Sequence, residues 1–138
     1  FTCGYDHDTR DSIERTVDFA IDNKFCFAAF NILMPYPRTA LYESLRAEGR
    51  LLYDGQWWLH PEYRFNYAAF QPRGMSPEEL TEVCFQARRR FNSFGSIIRR
   101  ACDWRYLRSP YRLGLYLRYN PLFRRETFKK QGMRFGLR

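Results

Sequence analysis

The stretch Phe25-Cys-Phe-Ala-Ala-Phe-Asn-Ile-Leu-Met-Pro35, FCFAAFNILMP, decides how this chain is read. It is apolar on both faces except at Asn31, rich in aromatic residues and of strand length. Continuous apolarity over so short a run fits a buried strand of a parallel sheet, because crossover helices cover both faces of such a sheet. Just before it, Ile13, Val17, Ala20 and Ile21 recur at helical spacing. Asp11 and Glu14 stand in the arrangement of a capping box, which places a helix at about residues 10 to 23. Ahead of that helix, Phe1 to Gly4 reads as the end of another strand. The order strand, helix, buried strand makes a βαβ unit and an α/β fold class.

Outward from this unit, Pro35 and Pro37 end the strand, since proline restricts itself and the preceding residue to extended geometry. Thr39 is placed to cap a helix from Ala40 to Glu48, and Gly49 to stop it. Residues 51 to 75 carry turn signals and no helical period, with room for one short strand from Arg64 to Phe70. Ser76-Pro-Glu-Glu79 combines a cap, a proline at the first helical position and a glutamate at the third. Leu80, Val83, Cys84, Ala87, Phe91, Phe94 and Ile98 follow at spacings of three and four. They predict one long helix over about residues 76 to 100, whose outer face carries Arg88, Arg89 and Arg90. Beyond Trp104, basic residues alternate with Tyr, Leu and Phe and are interrupted by Pro110, Gly114, Pro121 and Gly132. Short helices and little regular order are expected there.

With 138 residues, 45% of them hydrophobic and 19% aromatic, the chain has the apolar material for one folded core. Cys3, Cys26, Cys84 and Cys102 lie 23, 58 and 18 residues apart, without the close pair of a zinc ribbon or a redox CxxC. They read as reduced thiols in or near the core of a cytoplasmic protein. No apolar run has the length of a membrane span, and no secretory leader pattern is present. The net charge of +8 hides an asymmetry. Residues 1 to 87 hold 8 basic and 13 acidic side chains, whereas residues 88 to 138 hold 15 basic and 2 acidic ones. The final segment, 101 to 138, is a basic tail.

Asp6-His7-Asp8 offers three ligand atoms in succession, but adjacent side chains diverge and a metal collects ligands from separated positions. The two aspartates read rather as acceptors for backbone N–H groups in the turn before the helix. No catalytic residue and no metal ligand is assigned, because no nucleophile and base stand at a recognisable spacing and no Gly-rich phosphate loop occurs. Trp57, Trp58 and Tyr63 sit in an aromatic-rich stretch suited either to shaping a flat apolar substrate or to covering a core edge. The basic tail suits an anionic membrane surface, or less well a nucleic acid, and reads otherwise as a solvated face over packed aromatic residues.

The order of segments GYDHDT at Gly4 to Thr9, IERTVDFAIDNKF at Ile13 to Phe25, FNILMPYPRTALYESLRAEGRLL at Phe30 to Leu52 and MSPEEL at Met75 to Leu80 resembles the carboxyl-terminal part of cobalamin-binding radical S-adenosylmethionine enzymes. The resemblance covers about residues 1 to 100. It implies that residues 1 to 50 are the last two βα units of a partial (β/α) barrel and that residues 51 to 138 form a mainly helical extension. Such enzymes hold a 4Fe-4S cluster and S-adenosylmethionine at the carboxyl ends of the strands, where barrel chemistry resides, and cobalamin often relays a methyl group.

By that resemblance Gly4, Tyr5 and Asp6 lie beside the nucleoside of S-adenosylmethionine, and Leu33, Met34, Pro35 and Tyr36 form the neighbouring rim. Arg38 stands where the family has glycine after PYP, which raises the question of the loop conformation there. The CxxxCxxC that ligates the cluster does not occur in these 138 residues, nor does a cobalamin-binding domain. The chain is therefore expected to be a fragment of a longer enzyme, inactive alone, whose partners are the preceding half of the same polypeptide and a small-molecule or lipid substrate. Its expected location is the cytoplasm or the membrane surface. The competing expectation is a basic, aromatic-rich binding module for an anionic membrane or nucleic acid.

Overall fold

A computed structural model describes residues 1–134. At its centre a two-residue strand, β1 (Thr2–Cys3), pairs in parallel with β2 (Asn31–Ile32), with Thr2 opposite Asn31 and Cys3 opposite Ile32. The helix α1 (Arg10–Asp22) connects them and buries Ile13, Val17, Ala20 and Ile21. Its cap differs from the expected one. Thr9 holds the extended cap conformation and accepts from the Ser12 amide, while Ser12 Oγ accepts from the Thr9 amide. Asp11 is already inside the first turn and pairs with Arg15.

The decisive stretch is less regular than its composition suggests. Only Asn31 and Ile32 are ladder residues, and burial on both faces is replaced by alternation. Phe30 and Ile32 are buried toward the helices, whereas Phe27, Ala29 and Asn31 are exposed on the opposite face. With so short a partner strand, the carbonyls of the preceding residues need other donors. Two arginines supply them. Arg88 Nε donates to Phe30 O at 2.7 Å, and Arg100 Nη1 donates to Phe25 O at 2.8 Å and Cys26 O at 3.0 Å.

The chain continues into α2 (Ala40–Ala47), capped by Thr39 as expected. Residues 51 to 75 are largely irregular, with a 3₁₀ turn at Tyr53–Gly55. The short strand expected at Arg64 to Phe70 does not form. Single bridges link Leu51 to Phe70 and Arg64 to Arg134 instead.

The helix α3 (Pro77–Phe91) begins with the expected capping box, Glu79 N donating to Ser76 Oγ at 3.1 Å and Ser76 N to Glu79 Oε2 at 2.8 Å. It does not run to residue 100. Asn92 turns its side-chain amide onto Arg88 O at 2.9 Å, and Ser93 caps a new helix, α4 (Phe94–Ala101). Polar side chains that bond nearby backbone break the periodic pattern there. The break also rotates the faces. Phe94 and Ile98, expected inside, are exposed, while Ile97 and Arg100 are buried. Arg88, expected on the outer face, is only 4% exposed.

A short α5 (Trp104–Leu107) precedes α6 (Pro110–Lys130), whose 21 residues replace the short, poorly ordered helices expected in the tail. Pro121 lies within α6 on an exposed side, and Ser109 with Pro110 starts it properly. The inner row of α6 is Tyr116 and Asn120, and Tyr116 Oη donates to Ile97 O at 2.9 Å. The last four residues of the basic tail lie outside the described residues.

The principal core joins Cys3, Phe30 and Ile32 of the sheet region to α1 and α3. One face of the sheet is thus covered by helices, and the other opens onto cavities.

Candidate functional site

Parallel pairing brings the carboxyl ends of β1 and β2 out side by side, so Gly4–Asp6 and Leu33–Tyr36 share a rim. Leu33 N donates to Cys3 O at 2.8 Å where the two segments leave the ladder. Gly4 has φ +108°, and a Cβ there would lie 2.9 Å from Leu80 Cδ2 and 3.2 Å from Phe70. The position therefore demands glycine on two grounds, conformation and space. Arg38 keeps the left-handed geometry that a glycine would adopt, at φ 66°.

The acidic loop is a structural element. Asp8 Oδ2 accepts from Gly4 N at 2.8 Å and Tyr5 N at 2.9 Å, closing the turn before α1. Asp6 accepts from Arg50 at 2.9 Å and pairs with Arg73 at 3.1 Å, and both arginines also reach Glu48 at 2.9 Å. The Arg50 hydrogen bond holds the Asp6 carboxyl below the usual range, and it does the same for Glu48. Among the described residues no group of three or more His, Cys, Asp or Glu side chains is arranged to hold a metal.

A cavity of about 470 Å³ opens on the uncovered face of the sheet. Its floor is Thr2 and Asn31, its near wall Leu33, Met34 and Tyr36, and its far wall Trp57, Tyr63, Phe65 and Asn66. The volume is within the range of small-molecule sites. Trp57 is 4% and Tyr63 2% exposed. Trp57 Nε1 donates to Pro35 O at 3.0 Å, which ties the aromatic wall to the end of β2. Rings stack edge to face around it, Tyr36 at 5.9 Å, Trp58 at 5.6 Å and a tilted Tyr63 at 5.0 Å. Burial raises the pKa of Tyr63, so its hydroxyl is neutral and donates to Tyr67 O at 3.3 Å.

Of the residues singled out from the sequence, Leu33, Met34, Tyr36, Trp57 and Tyr63 meet at this cavity. Pro35 is buried and serves through its carbonyl, and Trp58 packs behind Trp57. Gly4, Tyr5 and Asp6 are at the rim but not among the lining residues: Gly4 faces Leu80, Tyr5 is exposed and Asp6 is engaged by arginines. The sequence gives no role to Asn31 and Asn66, which, with Phe65 of the aromatic-rich stretch, this cavity shares with a second one of about 180 Å³ beside Arg88 and Asn92. Asn31 carried a signal, as the single polar residue of FCFAAFNILM. Asn66, held at φ 67°, carried none.

The cysteines do not assemble into a cluster site. Cys3 and Cys84 are buried, Cys26 is half-buried and Cys102 is exposed, all as free thiols. A hydrogen bond with Cys3 and burial push the Cys84 thiol up. The donor set of an iron–sulfur cluster is not met by these residues.

No protein-family model matches the chain, and no solved structure matches it. It is 27% identical over 100 residues to the bacteriochlorophyllide d C-12(1)-methyltransferase of Chlorobaculum tepidum. The matched region is 72% of this chain and 21% of that protein, so the chain spans about a fifth of its curated relative. The similarity is a distant one, to a methyltransferase.

Proposed function

We propose that this chain supplies two βα units and the aromatic wall of the substrate cavity in a larger radical S-adenosylmethionine methyltransferase. The observation that carries the reading is the juxtaposition of two parallel strand ends with an aromatic-walled cavity on the uncovered face of their sheet. The ordered segments of the sequence and the distant methyltransferase relative support the same reading. A two-stranded parallel sheet with one face open needs further strands and cover from elsewhere in the polypeptide.

S-Adenosylmethionine fits the rim in kind. Leu33, Met34 and Tyr36 offer apolar contact at the end of β2, and Asn31 and Asn66 add neutral hydrogen-bonding side chains. When bound, it would supply the adenosyl radical precursor and the methyl donor. Trp57, Tyr63 and Phe65 would orient a flat, apolar substrate by ring contact and keep water from it. The relative's name specifies a bacteriochlorophyllide, and a large planar ring system is the substrate class that such a wall suits. An iron–sulfur cluster finds no ligand set among the described residues, and the cluster and cobalamin are both assigned to other parts of the polypeptide.

The test uses the parent polypeptide, purified anaerobically, with methyl-labelled S-adenosylmethionine and planar tetrapyrrole acceptors. Label transfer is expected, with Phe65→Leu raising KM for the acceptor up to about 10-fold while S-adenosylmethionine binding changes little, because one lost ring contact of this kind is worth up to about 1.4 kcal/mol. Absence of S-adenosylmethionine binding by the parent polypeptide refutes the proposal. So does a stoichiometric cluster formed by the 138 residues alone on anaerobic addition of iron and sulfide.

A further inference from the structure

The surface formed by α3, α4 and α6 has a composition that neither the core nor the proposed cavity explains. An open groove of about 550 Å³ runs between these helices. Its basic residues are Arg89, Arg124 and Arg125, its rings Phe85, Phe94 and Phe128, and no carboxylate lines it. Phe94 is 60% exposed, and Ile98, one turn further along α4, is 62% exposed. Leu117, one turn before the groove's Pro121 on α6, is also exposed. Three other arginines of the basic last third have acidic partners: Arg90 pairs with Asp18, Arg99 with Asp22 and Arg105 with Asp103. In the groove the cations rest on rings instead, Arg124 at 4.7 Å from Phe94 and 4.5 Å from Phe128, and Arg89 at 5.8 Å from Phe85. Arg125 reaches Glu126 only at 3.7 Å, on an exposed edge.

We propose that this groove docks on an anionic lipid surface, with headgroup phosphates held by Arg89, Arg124 and Arg125 and with Phe94, Ile98 and Leu117 entering the interface. Charge complementarity selects the occupant: three basic residues whose one carboxylate neighbour among the described residues is Glu126, 3.7 Å from Arg125, attract an anionic leaflet, at about 1 kcal/mol per basic residue near the surface. The apolar residues select lipid over nucleic acid. Ile98, Leu117 and Pro121 have no π-face for bases, and the faces of Phe94, Phe128 and Phe85 are already covered by guanidinium groups. Apolar side chains beside snorkelling arginines are the arrangement of an interfacial helix. Among the described residues no helix is long and apolar enough to cross a membrane. The docking stands independently of the proposed methyl transfer.

The test is flotation of the purified chain with phosphatidylcholine vesicles, with and without about a third of phosphatidylglycerol, and in parallel with single-stranded RNA. Binding is expected to the anionic vesicles only, weakening as salt rises from 0.05 to about 0.5 M and screening sets in. The double substitution Arg89→Gln with Arg124→Gln is expected to weaken it about 30-fold, or roughly fivefold per charge. Phe94→Ser with Ile98→Asn tests the apolar half on exposed positions and is expected to abolish binding at the higher salt while the circular dichroism spectrum is unchanged. Equal binding to neutral vesicles, tighter binding to RNA, absence of vesicle binding, or anionic-vesicle binding that survives both pairs of substitutions would each overturn the proposal.

Discussion

Arg100 is a cation with no exposed surface and, among the described residues, no carboxylate partner, and its removal makes a sharp test of how this fold is held. Its guanidinium donates to Phe25 O at 2.8 Å, Cys26 O at 3.0 Å, Phe91 O at 2.9 Å, Ser96 Oγ at 3.2 Å and Asn120 Oδ1 at 3.4 Å. It also lies 3.8 Å from the centre of the Phe91 ring. In one side chain it therefore ties the irregular start of the FCFAAFNILMP stretch to the end of α3 and the middle of α6. Burial opposes this arrangement, since it lowers the pKa of the guanidinium and signals a desolvation cost. Substitution Arg100→Met keeps most of the volume but leaves the Phe25, Cys26 and Phe91 carbonyls without this donor. At about 1–3 kcal/mol per buried acceptor left unpaired, plus about 1 kcal/mol for the ring contact, the gross loss is about 4–10 kcal/mol. Relief of the desolvation cost offsets several kcal/mol of that. The expected net loss is about 3 kcal/mol for Met and about 5 kcal/mol for Ala, which also leaves a cavity. Urea denaturation followed by far-UV circular dichroism measures both. A Met variant as stable as the parent would show that desolvation cancels the hydrogen bonds, and that carbonyl satisfaction by Arg100 is not what secures this segment.

Three further perturbations address the rim. Gly4→Ala is expected to destabilise by about 2 kcal/mol, from left-handed strain plus the clash with Leu80, and thermal unfolding should show a midpoint lowered by several degrees. Arg38→Gly relieves a left-handed arginine at φ 66° and is expected to stabilise by about 0.5–1 kcal/mol, after the added entropy of the unfolded chain is counted, in the same assay. The network of Asp6 and Glu48 with Arg50 and Arg73 carries a defined pH sign. Both carboxyls titrate below their usual range in the folded chain, so their contribution is present at neutral pH and is lost as pH falls through those depressed values. Thermal midpoints taken from pH 7 to pH 3 should fall at the acid end, and Arg50→Met should flatten that fall.

The capped starts of α2 and α3 were legible because Thr39 and the Ser76 to Glu79 box act locally, and each forms as the residue types require. The parallel pairing was legible from the strand, helix, strand order. What misled was long-range satisfaction of polar groups. Nothing in FCFAAFNILMP says that its carbonyls are served by Arg88 and Arg100, far along the chain, and so the run read as a full strand and Arg88 as a surface residue. Helical period alone could not locate the break at Asn92 and Ser93, where side-chain hydrogen bonds to nearby backbone override an unbroken apolar repeat. Pro121 and Gly114 likewise read as interruptions, although α6 carries both on its exposed side. At the site, Trp57 and Tyr63 were visible as aromatic residues in a loop. Their meeting with Leu33, Met34 and Tyr36 depends on a fold-back of some twenty residues, which the Trp57 bond to Pro35 and the Tyr36 ring contact with Trp57 make evident.

Hydrogen exchange of the parent polypeptide of the proposed methyltransferase, with and without S-adenosylmethionine, tests the central claim most directly. Slowed exchange at Leu33 to Tyr36, with the Trp57 to Asn66 wall slowed further by a planar acceptor, is the predicted result. Unchanged exchange across both segments, while protection builds elsewhere in the same polypeptide, would contradict the placement of the site on this chain.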